Sequence, residues 1–169
     1  ALPFSGSFIA ASMALGRSLR ECQFIYLRFK DQLFEGWARP YNTQNLEALL
    51  KKEMGEGMLG DIQRPKLLIT ATRANIHPMK MELFRNYSLP AHSEIENLAY
   101  GFKDPTILPL WWVLRCSSAA PTYFASVGNK YLDGGLVANN PAQELLAEIQ
   151  MQNDALEMRK SKEPRVRPG

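Results

Sequence analysis

The sequence predicts an α/β fold, a three-layer sandwich with a mostly parallel central sheet. Three observations point to it. Lys66-Leu67-Leu68-Ile69-Thr70-Ala71-Thr72 is a continuous apolar run of strand length, the pattern of a parallel strand buried on both faces. Stretches before and after it carry apolar residues at helical spacing, so strands alternate with helices along the chain. Asp133 closes a short apolar approach (Tyr131, Leu132) and is followed by Gly134-Gly135, a loop and a helical pattern. A carboxylate so placed lies at the carboxyl end of a strand, where α/β sheets usually put their chemistry.

Residues 7–30 read as helical. Phe8, Ile9, Ala11, Ser12 and Leu15 recur at helical spacing before Gly16 interrupts the run. Ser18 caps a second helix, with Glu21 three residues later completing a capping box. Cys22, Ile25, Tyr26 and Phe29 share its apolar face. Gly36-Trp37-Ala38-Arg39-Pro40 is a loop. Asn42 or Thr43 then starts a helix carrying Leu46, Leu49 and Leu50, which ends near Gly55. Residues 54–60 hold three glycines and predict a flexible connection. Asp61-Ile62 leads toward the apolar strand, whose edge Pro65 marks.

Residues 80–85 alternate in part and predict a second strand. Pro90, Pro105 and Pro109 make residues 88–109 mostly loop, with a short helix near Ile95. Residues 110–117 read as a helix with Trp111, Leu114 and Arg115 at helical spacing; Trp111-Trp112 suit a core or a lipid contact. Residues 141–158 form an amphipathic pattern, with Leu145, Leu146, Ile149 and Leu156 expected inside and Gln and Glu outside. Gln143 and Glu144 stand in its first turn, where an acidic side chain favours the helix dipole.

The 169 residues suit one domain with a sizeable core. We assign residues 1–150 to a partial domain and 151–169 to the end of the last helix and a basic tail, for which disorder is the default. Hydrophobic content of 46% and charged content of 22% are ordinary globular values. A net charge of +3, with no interleaving of basic and aromatic residues, gives no case for nucleic acid. Cys22 and Cys116 form no CxxC pair and read as reduced core thiols, which fits an intracellular chain. His77 and His92 have no partners at zinc-ligand spacing. No apolar run reaches the roughly 18 residues a membrane span needs.

Taken by itself, Asp133-Gly134 is also an ordinary turn. Its surroundings are more specific. Ser117-Ser118-Ala119-Ala120-Pro121-Thr122-Tyr123-Phe124, followed by Tyr131-Leu132-Asp133-Gly134-Gly135-Leu136-Val137-Ala138-Asn139-Asn140-Pro141, resembles the second half of a patatin-like phospholipase domain. The resemblance is strongest to the group VI calcium-independent phospholipase A2 enzymes. Tyr26-Leu27-Arg28-Phe29-Lys30-Asp31 and Leu83-Phe84-Arg85-Asn86-Tyr87 extend it, and it runs from about residue 7 to about residue 149.

The resemblance implies the patatin-like version of the fold and phospholipid acyl hydrolysis by a Ser-Asp dyad. Asp133 takes the position of the proton acceptor, in the motif Asp133-Gly134-Gly135. It implies no metal and no other cofactor, and no calcium. It implies a phospholipid substrate, a peripheral membrane contact, a cytoplasmic or membrane-associated location and a homo-oligomer in the full protein.

Hydrolysis by this route needs a serine on a strand-to-helix elbow, written Gly-x-Ser-x-Gly because the turn is crowded. It also needs a Gly-rich loop upstream to hold the oxyanion. Neither motif occurs among these residues, and we expect the domain to be truncated at its amino end. Ungapped alignment back from Lys30-Asp31 puts Phe4 at the nucleophile position. One deletion puts Ser5 there, with Pro3 in place of the first glycine and Gly6 one position early. Ser5 also reads as a loop serine or a helix cap. The competing functional reading is a catalytically inactive patatin-like fragment or splice form that binds partner subunits or lipid.

Overall fold

Leu68–Arg73 (β1) runs between Lys80–Arg85 (β2) and Tyr131–Asp133 (β3), giving the order β2-β1-β3. The computed structural model describes residues 5–33, 39–90 and 92–162, with Ser5 and Lys162 given by backbone alone. Both pairings of β1 are antiparallel, with Leu68 opposite Arg85 and Ala71 opposite Asp133. The expectation of a mostly parallel sheet is therefore corrected. A continuous apolar run reports burial on both faces and carries no information about the direction of the neighbours. The direction of β2 follows from its connection: residues 74–79 are too short for a parallel crossover, which takes about a dozen residues or more.

Ser5–Ala14 (α1), Leu19–Leu33 (α2), Thr43–Met54 (α3) and Leu110–Ser117 (α5, after the short α4, Glu94–Ala99) share one core with the sheet. Phe8 of α1 lies against Phe29 of α2, their rings 4.7 Å apart, and both are fully buried. Val113 and Leu114 of α5 join Ile69 of β1 and Phe84 of β2 in the same cluster. Trp112 packs edge-on against Phe84 and Tyr131, so this tryptophan belongs to the core.

The helix boundaries follow local chemistry. Gly16 adopts φ +83° between α1 and α2, a conformation that favours glycine. The Ser18 backbone N–H donates to the Glu21 carboxylate at 2.8 Å, and the Glu21 N–H returns the bond to Ser18 Oγ, forming the capping box. Asn42 caps α3 by accepting from the N–H groups of Gln44 and Asn45. The glycine-rich stretch 54–60 is tied down, contrary to the flexible connection expected. The Leu59 N–H donates to the Leu108 carbonyl and the Leu110 N–H to that of Gly57.

Ala142–Lys162 (α7) runs past the expected end at residue 158, and its orientation is the reverse of the sequence expectation. Leu145, Leu146, Ile149 and Leu156 are between 42% and 67% exposed, whereas Glu148, Gln152 and Ala155 are buried. The cause lies on β2. Arg85 is buried there, and a buried guanidinium requires a carboxylate. Glu148 supplies it in a bidentate contact, and the Tyr87 hydroxyl donates to the same carboxylate. The other expected loops are partly outside the described residues: residues 34–38 of the loop before α3 and residues 163–169 of the basic tail.

Candidate active site

Asp133 is the last residue of β3, and its backbone is fixed from two sides. Its N–H donates to the Ala119 carbonyl at 3.0 Å, and its carbonyl accepts from Thr72 Oγ1 at 2.7 Å. The chain then enters the short helix Gly135–Ala138 (α6). The Gly135 N–H donates to Asp133 Oδ1 at 2.6 Å, which aims one carboxylate oxygen along the start of this helix.

The two glycines serve different needs, and neither needs a positive φ. Gly134 has φ −60° and ψ −26°, ordinary right-handed values. A Cβ there would lie 2.5 Å from the Thr70 carbonyl oxygen, so the position admits only a residue that lets β1 come this close. A Cβ on Gly135 would lie 3.0 Å from Asp133 Oδ1 and 3.4 Å from Asn139 Oδ1. The first glycine seats the turn on the sheet; the second leaves room for the carboxylate.

Asp133 opens on a cleft of about 680 Å³. The first turns of α1 contribute Gly6, Ser7 and Ala10, and the end of α5 contributes Ser117; Tyr123 and Leu136 stand at other parts of the wall. Burial raises the Asp133 carboxyl from its ordinary value, and the Gly135 N–H pulls it part of the way back. A carboxylate moved upward in this way is a better proton acceptor than one in open solvent.

The loop carrying the Ser118-to-Phe124 motif forms another wall. Arg115, buried in α5, donates to the Ala125 carbonyl at 2.7 Å, and Ser118 Oγ donates back to the Arg115 carbonyl at 3.0 Å. The Tyr41 N–H donates to the Tyr123 carbonyl, tying the loop to the segment before α3. Thr122 adopts φ +70°, a strained conformation for a β-branched residue.

Of the residues singled out from sequence, Asp133, Gly134 and Gly135 form one turn at the cleft, with Asn139 beside them. Ser5 is the first residue of α1 and adjoins Gly6 in the cleft wall; its side chain lies outside the described part. Ser117, which flanks the Asp133 motif and reads from sequence as helix end and packing, lines the cleft, as does Ser7. Ser117 opens the Ser-Ser-Ala-Ala-Pro motif, whereas no local motif marks Ser7, which reaches the cleft through the packing of α1 on α5. Among the described residues no three His, Cys, Asp or Glu side chains converge where they could hold a metal ion. No described helix is long and apolar enough to cross a membrane. Cys22 and Cys116 are buried free thiols, and burial pushes that of Cys116 far up.

Residues 5–146 match the patatin-like phospholipase family. The chain belongs to that family. Residues 131–135, which build the Asp133 turn, fall inside the matched range. Similar proteins include the intracellular phospholipase A2 of Caenorhabditis elegans, 38% identical over 154 residues, or 91% of this chain and 14% of that protein. The 85/88 kDa calcium-independent phospholipase A2 of Mus musculus is 37% identical over 155 residues, 88% of this chain and 19% of that protein. Calcium-independent phospholipase A2-gamma of Homo sapiens is 30% identical over 159 residues, 82% and 20% of the two chains. The patatin-like chain thus spans between 14% and 20% of the length of these relatives.

Proposed function

We propose that Asp133 is the base of a Ser-Asp dyad for phospholipid acyl hydrolysis, and that these 169 residues carry the base without a competent nucleophile. The observation that carries the reading is the Asp133 turn. A half-buried carboxylate, raised by burial and steered by the Gly135 N–H, faces a cleft walled by the first turns of α1. In this reading the carboxylate takes the serine proton as the hydroxyl attacks the ester carbonyl, and returns it to the departing alcohol. Water then cleaves the acyl-enzyme by the same proton path. The chemistry uses no metal and no calcium.

Ser5 is the candidate nucleophile position because α1 begins there, but Pro3 and Ser7 stand where an elbow needs glycine. The double change Pro3→Gly with Ser7→Gly writes Gly-x-Ser-x-Gly around Ser5 and tests the proposal. Restoring a nucleophile is worth about a millionfold, and a missing oxyanion donor removes about a hundred- to a thousandfold. About a thousandfold gain in fatty-acid release from phosphatidylcholine vesicles is therefore expected, and adding Asp133→Asn should remove it. A folded double variant with no gain would reject the dyad.

Pro3 and Ser7 on either side of Ser5 favour a second reading: an inactive patatin-like form that binds lipid or partner subunits. Under either reading we place the protein inside the cell, in the cytoplasm or peripherally on a membrane, and expect homo-oligomers of the full protein.

A further inference from the structure

We infer that Arg115 is a positioning residue for Asp133: it clamps the loop of residues 118–125, whose Ala119 carbonyl holds the Asp133 N–H. The inference rests on the function proposed above. Asp133 is held on one side by Thr72, a fully buried residue of the middle strand β1. On the other side it is held by Ala119, which lies in a loop outside the sheet. The placement of the carboxylate therefore depends on what fixes that loop.

One residue closes the loop at both ends. The Arg115 carbonyl, near the end of α5, accepts from Ser118 Oγ at 3.0 Å. The guanidinium of the same residue spans the turn, and its Nη2 donates to the Ala125 carbonyl at 2.7 Å. Between these ends the Ala120 carbonyl accepts from the N–H groups of Tyr123 and Phe124, each at 3.0 Å, which draws the turn tight. Thr122 takes φ +70° within it, and backbone strain of this kind persists only where the surroundings enforce it. Arg115 enforces it beyond the turn, and the Tyr41 N–H enforces it at the Tyr123 carbonyl.

Stability does not account for a guanidinium at this position. The Arg115 side chain is 2% exposed, and its Nε lies 3.3 Å from the Glu47 carboxylate. Among the described residues neither Nε nor Nη1 makes a hydrogen bond. Unmet donors on a buried charge are costly, and apolar residues of similar volume often replace buried ions without loss. The bond to Ala125 is the contact that an apolar side chain could not make.

The test compares Arg115→Met and Ser118→Ala with the purified parent chain, isotope-labelled for NMR. It reads the Asp133 carboxyl through a pH titration and the Asp133 N–H through hydrogen exchange. Burial raises the parent carboxyl against the pull of the Gly135 N–H. Tyr123 is the other titratable side chain lining the cleft, and the Arg39 guanidinium lies over its ring. Either substitution loosens the wall and admits water, so the Asp133 midpoint should fall toward the ordinary aspartate value. The Asp133 N–H should exchange at least about fivefold faster, the scale of one lost hydrogen bond. The urea midpoint of Arg115→Met should stay at or above that of the parent. Ser18→Ala removes the α2 cap outside the cleft lining and should leave the Asp133 midpoint unchanged. A midpoint and an exchange rate equal to the parent's in both loop variants would overturn the inference. So would an equal fall in Ser18→Ala, since the effect would then follow stability alone. If Arg115→Met does not fold, Ser118→Ala decides by the same two readings. Failure here leaves the Asp133 proposal standing, because that is scored on ester turnover and this on the titration and exchange of one residue.

Discussion

The Glu148 carboxylate on α7 receives two hydrogen bonds from the Arg85 guanidinium on β2, 2.6 and 2.8 Å long, with both side chains buried. This pair fixes which face of α7 meets the sheet. Removing one partner strands a buried charge, so Glu148→Ala should cost about 3–5 kcal/mol in urea denaturation. The double change Arg85→Met with Glu148→Leu should recover most of that loss. Equal losses in the single and double variants would show that the pair does not hold the helix.

Glycine substitutions at the Asp133 turn should rank by what the new Cβ meets. Gly134→Ala forces the methyl to within 2.5 Å of the Thr70 backbone oxygen, which cannot move without shifting β1. Gly135→Ala meets the Asp133 carboxylate, a side chain that can rotate away. Overpacking costs about 1–3 kcal/mol, and Gly134→Ala should reach or exceed the upper end while Gly135→Ala stays near the lower. Thermal denaturation of both variants checks the order; a milder effect at position 134 would contradict the close approach of β1.

Asp133 should leave a signature in the dependence of stability on pH. Burial raises its folded-state value above the unfolded one, so the native protein binds the extra proton between the two. Its contribution to stability is full below the unfolded value and is lost as pH rises through the folded one. Asp133→Asn removes that loss, and its stability relative to the parent should increase from acid toward neutral pH. Urea midpoints across that interval make the comparison. Parallel curves for the two proteins would mean the carboxylate is not shifted.

Much of the fold was legible because the deciding chemistry is local. Ser18 with Glu21, Asn42 before α3 and Gly55 after it mark helix ends within a few residues. The Asp133 turn was legible for the same reason. The misread features depend on residues far apart in the chain. The apolar stripe of α7 reads as an inner face until Arg85 on β2 is known to need Glu148, 63 residues away. The direction of β3 relative to β1 rests on the pairing of Ala71 with Asp133, which no local pattern encodes. Glycines at 55, 57 and 60 suggest looseness, yet the Leu108 carbonyl and the Leu110 N–H hold that segment.

The central claim is that this chain presents a dyad base without a working nucleophile, and ester turnover tests it most directly. Fatty-acid release from phosphatidylcholine vesicles is measured for the purified chain, for Asp133→Asn and for Ser5→Ala. Losing a serine nucleophile costs about a millionfold, so all three should give the same background rate. Clear turnover by the parent chain that both substitutions abolish would contradict the claim, and would make Ser5 a working nucleophile despite Pro3 and Ser7.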